Sequence, residues 1–133
     1  MLKTTSVKLV VKEAVVVYKR EDVIWAAGLF EGEGTVCWVK GTPTKYYPRL
    51  QLKMTDEDII KRFASIFNLK YKIVDRKSFQ PHWKDVWYLD ATGSKAYAPL
   101  LAMFPWLGKR RQERITSVVH KWISTTKQIK ENK

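Results

Sequence analysis

The chain alternates between two hydrophobic periods, and the switches between them mark its elements. Val23 to Phe30 is an apolar run that ends in Glu31-Gly32-Glu33-Gly34. Asp22 is of the type that caps a helix beginning near Val23, and Gly32 and Gly34 are of the type that ends one. Thr35 to Lys40 reads as a strand, and Gly41-Thr42-Pro43-Thr44 as a turn. Lys45 to Met54 then alternates strictly. Lys45, Tyr47, Arg49, Gln51 and Lys53 fall on one face, and Tyr46, Pro48, Leu50, Leu52 and Met54 on the other. Pro48 has no N–H to give a ladder, so it is expected at a bulge or a non-bonded position.

Thr55 and Asp58 have capping-box spacing before a second helix, whose apolar stripe is Ile59, Ile60, Phe63, Ile66 and Phe67. Asn68 is the expected stop. Lys70 to Arg76 is a third strand, with Tyr71 and Ile73 opposed to Lys70 and Lys72. Ser78 to His82 connects it to a fourth, Trp83 to Ala91. There Trp87 and Leu89 are expected inward, with Lys84, Val86 and Tyr88 opposite, in a register that a slip of one residue would exchange. Thr92-Gly93-Ser94 caps a short helix carrying Tyr97, Leu100, Leu101 and Phe104, in which Pro99 is tolerated near the first turns. A last helix from about Arg110 to Ile129 buries Ile115, Val118, Val119, Trp122, Thr126 and Ile129. The order predicts an α+β fold. One twisted four-stranded antiparallel sheet has helices packed on its apolar face and its other face left open. Before all this, Val7 to Val11 and Val15 to Tyr18 are strand-like. They form either an added hairpin or a flexible basic arm, so residues 1–20 are set apart as an extension to a domain of residues 21–133.

Composition narrows the partners. The 133 residues make one domain, and 45% hydrophobic content with six tryptophans supports a packed core. Lys and Arg total 25 against 13 acids, a formal charge of +12. That excess favours a polyanion, nucleic acid ahead of a membrane surface. The lone Cys37 excludes an internal disulfide and a Cys-rich zinc site. His82 and His120 are far apart in sequence and are expected to be surface or partly packed residues. No apolar run reaches the ~18–20 residues of a membrane span, and Met1 to Ser6 lacks a secretory hydrophobic region. An intracellular, DNA-containing compartment is expected. On the open strand face, Arg49 and Gln51 are of the kinds that pair with guanine and adenine edges. A solvated sheet face is the competing reading.

The most unusual stretch is Trp25 to Gly34. Gly28 and Gly32 lie four apart, so one helix face is bare at successive turns and another backbone can approach it. Glu31 and Glu33 sit at a helix C-terminus, where the macrodipole disfavours a negative charge by roughly 0.3–1 kcal/mol. On residues alone, Gly-Glu-Gly is either a polar exit turn or a place where a bound cation compensates the acids.

Ala26 to Gly34 resembles the motif of the LAGLIDADG homing endonucleases and their maturase relatives, and the likeness extends over roughly residues 22–125. Ala26 replaces the first leucine, Phe30 the isoleucine, Gly32 an alanine, and Glu stands for Asp at both acids. The resemblance implies an αββαββα fold whose sheet forms a saddle for double-stranded DNA. It implies that Glu33 and the Gly32 carbonyl hold Mg²⁺ or Mn²⁺ at the scissile phosphate. It places Lys109, after Pro105-Trp106-Leu107, as the active-site lysine. DNA contacts are implied for Lys45, Tyr47, Arg49, Gln51, Lys53, Lys70, Lys72, Arg76 and Lys84. Met54 stands where a polar residue is common. Residues 56–133 hold no second copy of the motif. A homodimer is therefore expected, packed through Trp25, Gly28, Leu29 and Gly32, cutting both strands of a long pseudo-palindromic site. The other reading is a protein of the same fold that binds without cutting, either an RNA maturase or a regulator.

Overall fold

The computed structural model describes residues 6–11, 14–74 and 84–131, without side chains for 9–11, 14, 42 and 126–131. Four strands form one antiparallel sheet in the order β3–β4–β6–β5: β3 (Gly34–Thr42), β4 (Lys45–Met54), β5 (Tyr71–Val74) and β6 (Val86–Thr92). The four helices are α1 (Arg20–Glu33), α2 (Glu57–Phe67), α3 (Ser94–Met103) and α4 (Lys109–Glu131). A 3₁₀ turn, Phe104–Trp106, joins the last two. The expected α+β fold is present. The extension is a hairpin of β1 (Ser6–Val11) and β2 (Ala14–Lys19), whose last residue runs straight into α1. It is not a loose arm. Val7 and Tyr18 pack on the core, and the Tyr18 ring meets Phe67 edge-on at 5.2 Å.

The alternation along β4 decides which sheet face is covered. Pro48, Leu50 and Leu52 are buried, while Arg49, Gln51 and Lys53 remain accessible. Register carries this choice to the neighbours. Leu52 stands opposite Leu89, and Leu50 opposite both Val36 and Ala91, so one continuous apolar layer forms. Trp87 and Leu89 face inward as expected, and the one-residue slip does not occur. The helices supply Phe30, Phe63, Leu100, Met103, Ile115 and Val118 to the same core. Pro48 accepts a bond from the Gly93 N–H at 2.9 Å. Its missing donor therefore points to the β6 side, where pairing has already ended at Arg49 and Thr92. Pro48 thus sits where the β4–β6 ladder ends, and its missing donor costs no bond between paired residues.

Several boundaries differ from expectation. Helix α1 starts at Arg20 with Lys19 as its cap, so Asp22 lies in the first turn and caps nothing. The cap of α2 is Asp56 and makes no side-chain bond, so the Thr55–Asp58 box does not form. Asn68 does stop α2. It adopts a left-handed conformation at φ 53°, and Leu69 N–H reaches back to the Ala64 carbonyl at 2.8 Å. Pro99 lies inside α3 and is buried. On α4 the inward position near the end is Thr125, which accepts from Tyr46 N–H at 3.2 Å. Thr126 and Ile129, expected there, lie outside the described side chains. Ile73, on the edge strand β5, is 46% exposed among the described residues.

Candidate nucleic-acid interface

The end of α1 is closed by a residue that the sequence did not single out. Arg111, on the first turn of α4, donates to the Glu31 carbonyl from Nε at 3.1 Å and Nη2 at 2.8 Å. Its Nη1 donates to the Gly34 carbonyl at 2.7 Å. The guanidinium lies over the Phe30 ring at 5.5 Å and 3.3 Å from Glu31 Oε2. A forked cation thus satisfies carbonyls that a helix end always leaves orphaned, and it opposes the macrodipole. The compensating cation demanded by two acids at this terminus is, for Glu31, a side chain 80 residues away. Nothing in local spacing identifies Arg111 among its basic neighbours.

The two acids of the motif are thereby separated. Glu31 is tied down, also accepting from Gly108 N–H at 3.2 Å, which fixes the entry of α4 against the end of α1. Glu33 is exposed, and its carboxylate has no partner among the described residues. The Gly32 carbonyl, also in the last turn, has none described either. These are hard oxygen donors of the kind that Mg²⁺ or Mn²⁺ takes. One carboxylate and one carbonyl do not complete a site, and no group of three His, Cys, Asp or Glu capable of holding an ion occurs among the described residues.

Gly34 is needed for a reason other than helix termination. Its backbone is extended, at φ −83°. A β-carbon there would overlap the buried Phe30 ring. Gly28 and Gly32 behave differently, since a β-carbon at either meets nothing within 4 Å. Both are exposed, with Ile24 beside them at 38% exposure. Trp25 and Leu29, expected on the same face, are half-buried and pack partly on the core, and the Arg62 guanidinium covers the Trp25 ring at 4.0 Å.

Next to Glu33, the start of β3 and the start of α4 border a hollow of about 340 Å³. It is lined by Gly34, Thr35, Val36, Arg110, Arg111 and Arg114. Arg114 donates to the Val36 carbonyl at 3.2 Å. Lys109 is exposed but lines another hollow, with Phe104, Gln112, Glu113, Thr116 and His120. The basic side chains that line the hollow at the start of β3 are Arg110, Arg111 and Arg114, while Lys109 lines the other one.

On the open sheet face, pairing places β6 residues beside those of β4. Arg49 stands opposite Thr92, Gln51 opposite Asp90 and Lys53 opposite Tyr88. Lys72 adds a cation opposite Tyr88 from β5, and Lys70 and Lys84 are exposed just before β5 and β6. Arg76 and His82 lie outside the described residues. The Lys45 ammonium lies 5.1 Å from the Tyr47 ring centre. Along β4 alone, the face has cations and no acid. In the sheet, Asp90 enters from β6 and grips Arg49. Arg49 Nε donates to Oδ1 at 2.9 Å and Oδ2 at 3.1 Å, and Nη2 donates to Oδ2. This hydrogen bonding raises the Arg49 pKa above its ordinary value, against the opposing effect of burial.

No family model matches the chain, and no curated protein matches it. Among solved structures it is similar to a substituted variant of I-DmoI in complex with its target DNA, nicked in the coding strand and in the presence of manganese. The two share 17% identity at a TM-score of 0.41, over 77% of this chain and 61% of that one. The chain thus spans less than two thirds of the length of that structure. No described helix is long and apolar enough to cross a membrane.

Proposed function

We propose that the chain is a metal-dependent, site-specific DNA endonuclease of the LAGLIDADG type that works as a homodimer, with residues 21–133 as its catalytic domain. The observation that carries this reading is the end of α1. There Glu33 is a carboxylate without a partner among the described residues, on a helix whose outward face is bare at Gly28 and Gly32. A helix that is apolar nearly all round calls for cover on every side. Packing α1 against its symmetry mate supplies that cover and brings two Glu33 side chains to one axis.

Glu33 and the Gly32 carbonyl from each copy would hold Mg²⁺ or Mn²⁺. Bound there, the metal supplies Lewis acidity and charge neutralisation at a phosphodiester. The protein's own residues do the rest. Arg111 and Glu31 fix the backbone at the end of α1, from which the Glu33 side chain projects. Arg110 and Arg114 present positive charge where a phosphate would lie beside Glu33, and Lys109 adds to the local field. The open sheet face carries Lys45, Tyr47, Arg49, Gln51, Lys53, Lys70, Lys72 and Lys84 toward duplex DNA. The two Glu33 carboxylates repel each other without a cation between them, so dimer and metal support each other.

The test is cleavage of a randomised duplex library with Mg²⁺, comparing wild type with Glu33→Gln. Discrete cutting by wild type alone, with binding kept by the variant, supports the reading. Binding by both with no cutting moves the assignment to the non-cleaving maturase or regulator. Sedimentation showing a monomer at micromolar concentration with and without DNA would overturn the homodimer.

A further inference from the structure

We infer that Asp90 is a positioning residue that turns Arg49 into a reader of guanine on the open sheet face. The inference rests on the DNA-binding reading above and deepens it. An acid on this face works against affinity, since Asp90 repels phosphate and neutralises one of the cations presented there. The bidentate pair, with side chains 32% and 26% exposed, contributes modestly to folding, on the order of 1 kcal/mol. Affinity therefore does not account for a carboxylate here. Specificity does, because discrimination often uses groups that penalise the wrong partner.

The geometry says which specificity. Arg49 lies on the central strand β4, with the uncharged Cys37 of β3 and Thr92 of β6 opposite it. The pair borders two hollows of about 410 and 380 Å³, the first bounded by Gln51 and Lys53 and the second by Lys70 and Lys72. A guanidinium has five N–H groups in a planar fork. Asp90 takes the Nε–H and one Nη2–H. What remains is the outer edge, in which Nη1 and Nη2 each offer a parallel donor. No described group occupies Nη1. Two parallel donors match the N7 and O6 acceptors on the major-groove edge of guanine and no other base. Asp90 thus removes the rotamer freedom of a long side chain before binding and aims its free edge outward. Without the carboxylate, Arg49 would swing to the nearest phosphate, where it carries no sequence information.

The experiment compares selected duplex sequences for wild type, Asp90→Asn and Arg49→Gln from one randomised library. A salt titration on the selected and a scrambled duplex accompanies the selection, with thermal unfolding of each protein. Wild type is expected to demand guanine at one position of each half-site. Asp90→Asn should relax that position about 10-fold, leave the others unchanged, and bind scrambled DNA more tightly with a steeper salt dependence, by about one phosphate contact. Arg49→Gln should lose guanine at the same position. A purely structural ion pair would lower the unfolding temperature without moving the base preference at one position, and that result overturns the inference. If wild type selects a site but Asp90→Asn keeps its guanine, the inference fails while the DNA-binding reading stands. If wild type selects no sequence at all, both fall.

Discussion

Replacing Arg111 with methionine keeps much of the stem and removes the fork that closes the end of α1. Three hydrogen bonds are lost, two to the Glu31 carbonyl and one to the Gly34 carbonyl. Hydrogen bonds to a charged group contribute about 1.5–3 kcal/mol each. The hollow beside them is open, so water can reach the stranded carbonyls, and the lower figure applies per carbonyl. The loss of a cation at the helix C-terminus adds roughly 0.3–1 kcal/mol. The ion pair with the Glu31 carboxylate adds little, because that side chain is 43% exposed. The sum is about 3–4 kcal/mol. With about 2.1 cal/mol/K per residue of unfolding entropy, this corresponds to a fall of roughly 10–14 °C in Tm. Urea and thermal unfolding at one fixed protomer concentration measure it, with Arg111→Lys as an intermediate that keeps the charge and loses the fork. A loss below about 1 kcal/mol for Arg111→Met would refute the reasoning. It would mean that water serves these carbonyls as well as the guanidinium does.

Glu33→Gln should leave protomer stability unchanged or raise it by about 0.3–1 kcal/mol, since it removes a disfavoured charge from a helix end without breaking a contact; urea unfolding checks this. Gly28→Ala should stabilise the isolated protomer by about 0.5–1 kcal/mol, because its β-carbon meets open space in a helix. If that face is the dimer interface, the same change weakens self-association, and sedimentation across protein concentrations separates the two effects. Gly34→Ala is expected to be the most damaging glycine change in the motif, by about 2 kcal/mol or more, because the Phe30 ring must leave its place against Phe63; thermal unfolding reads it. Leu52→Ala should lower stability by about 2–5 kcal/mol in the same assay, since Leu52 is buried on the covered face of β4 opposite Leu89 of β6.

Much of this protein is written in its periodicity. The strict alternation of residues 45–54 determined both the strand and its inward face, because side chains on a strand have only two directions to choose from. The stripe from Ile60 to Phe67 and the stop at Asn68 determined α2 in the same local way. The glycine spacing of α1 likewise marked a bare helix face. Helix starts were less legible, as at Asp22 and Thr55, because several neighbouring polar residues compete for one capping position. The site itself was only half legible. The acids of Glu31-Gly32-Glu33 stand out in sequence, but their different fates do not. Only the packing of α4 on the end of α1 brings Arg111 to Glu31, leaves Glu33 without a partner among the described residues, and sets Arg110 and Arg114 by the start of β3 while Lys109 lines another hollow. Likewise, only the pairing of β4 with β6 sets Asp90 against Arg49. Local spacing fixes which face a side chain joins. The partner it meets there is chosen by contacts between distant elements, which no local pattern encodes.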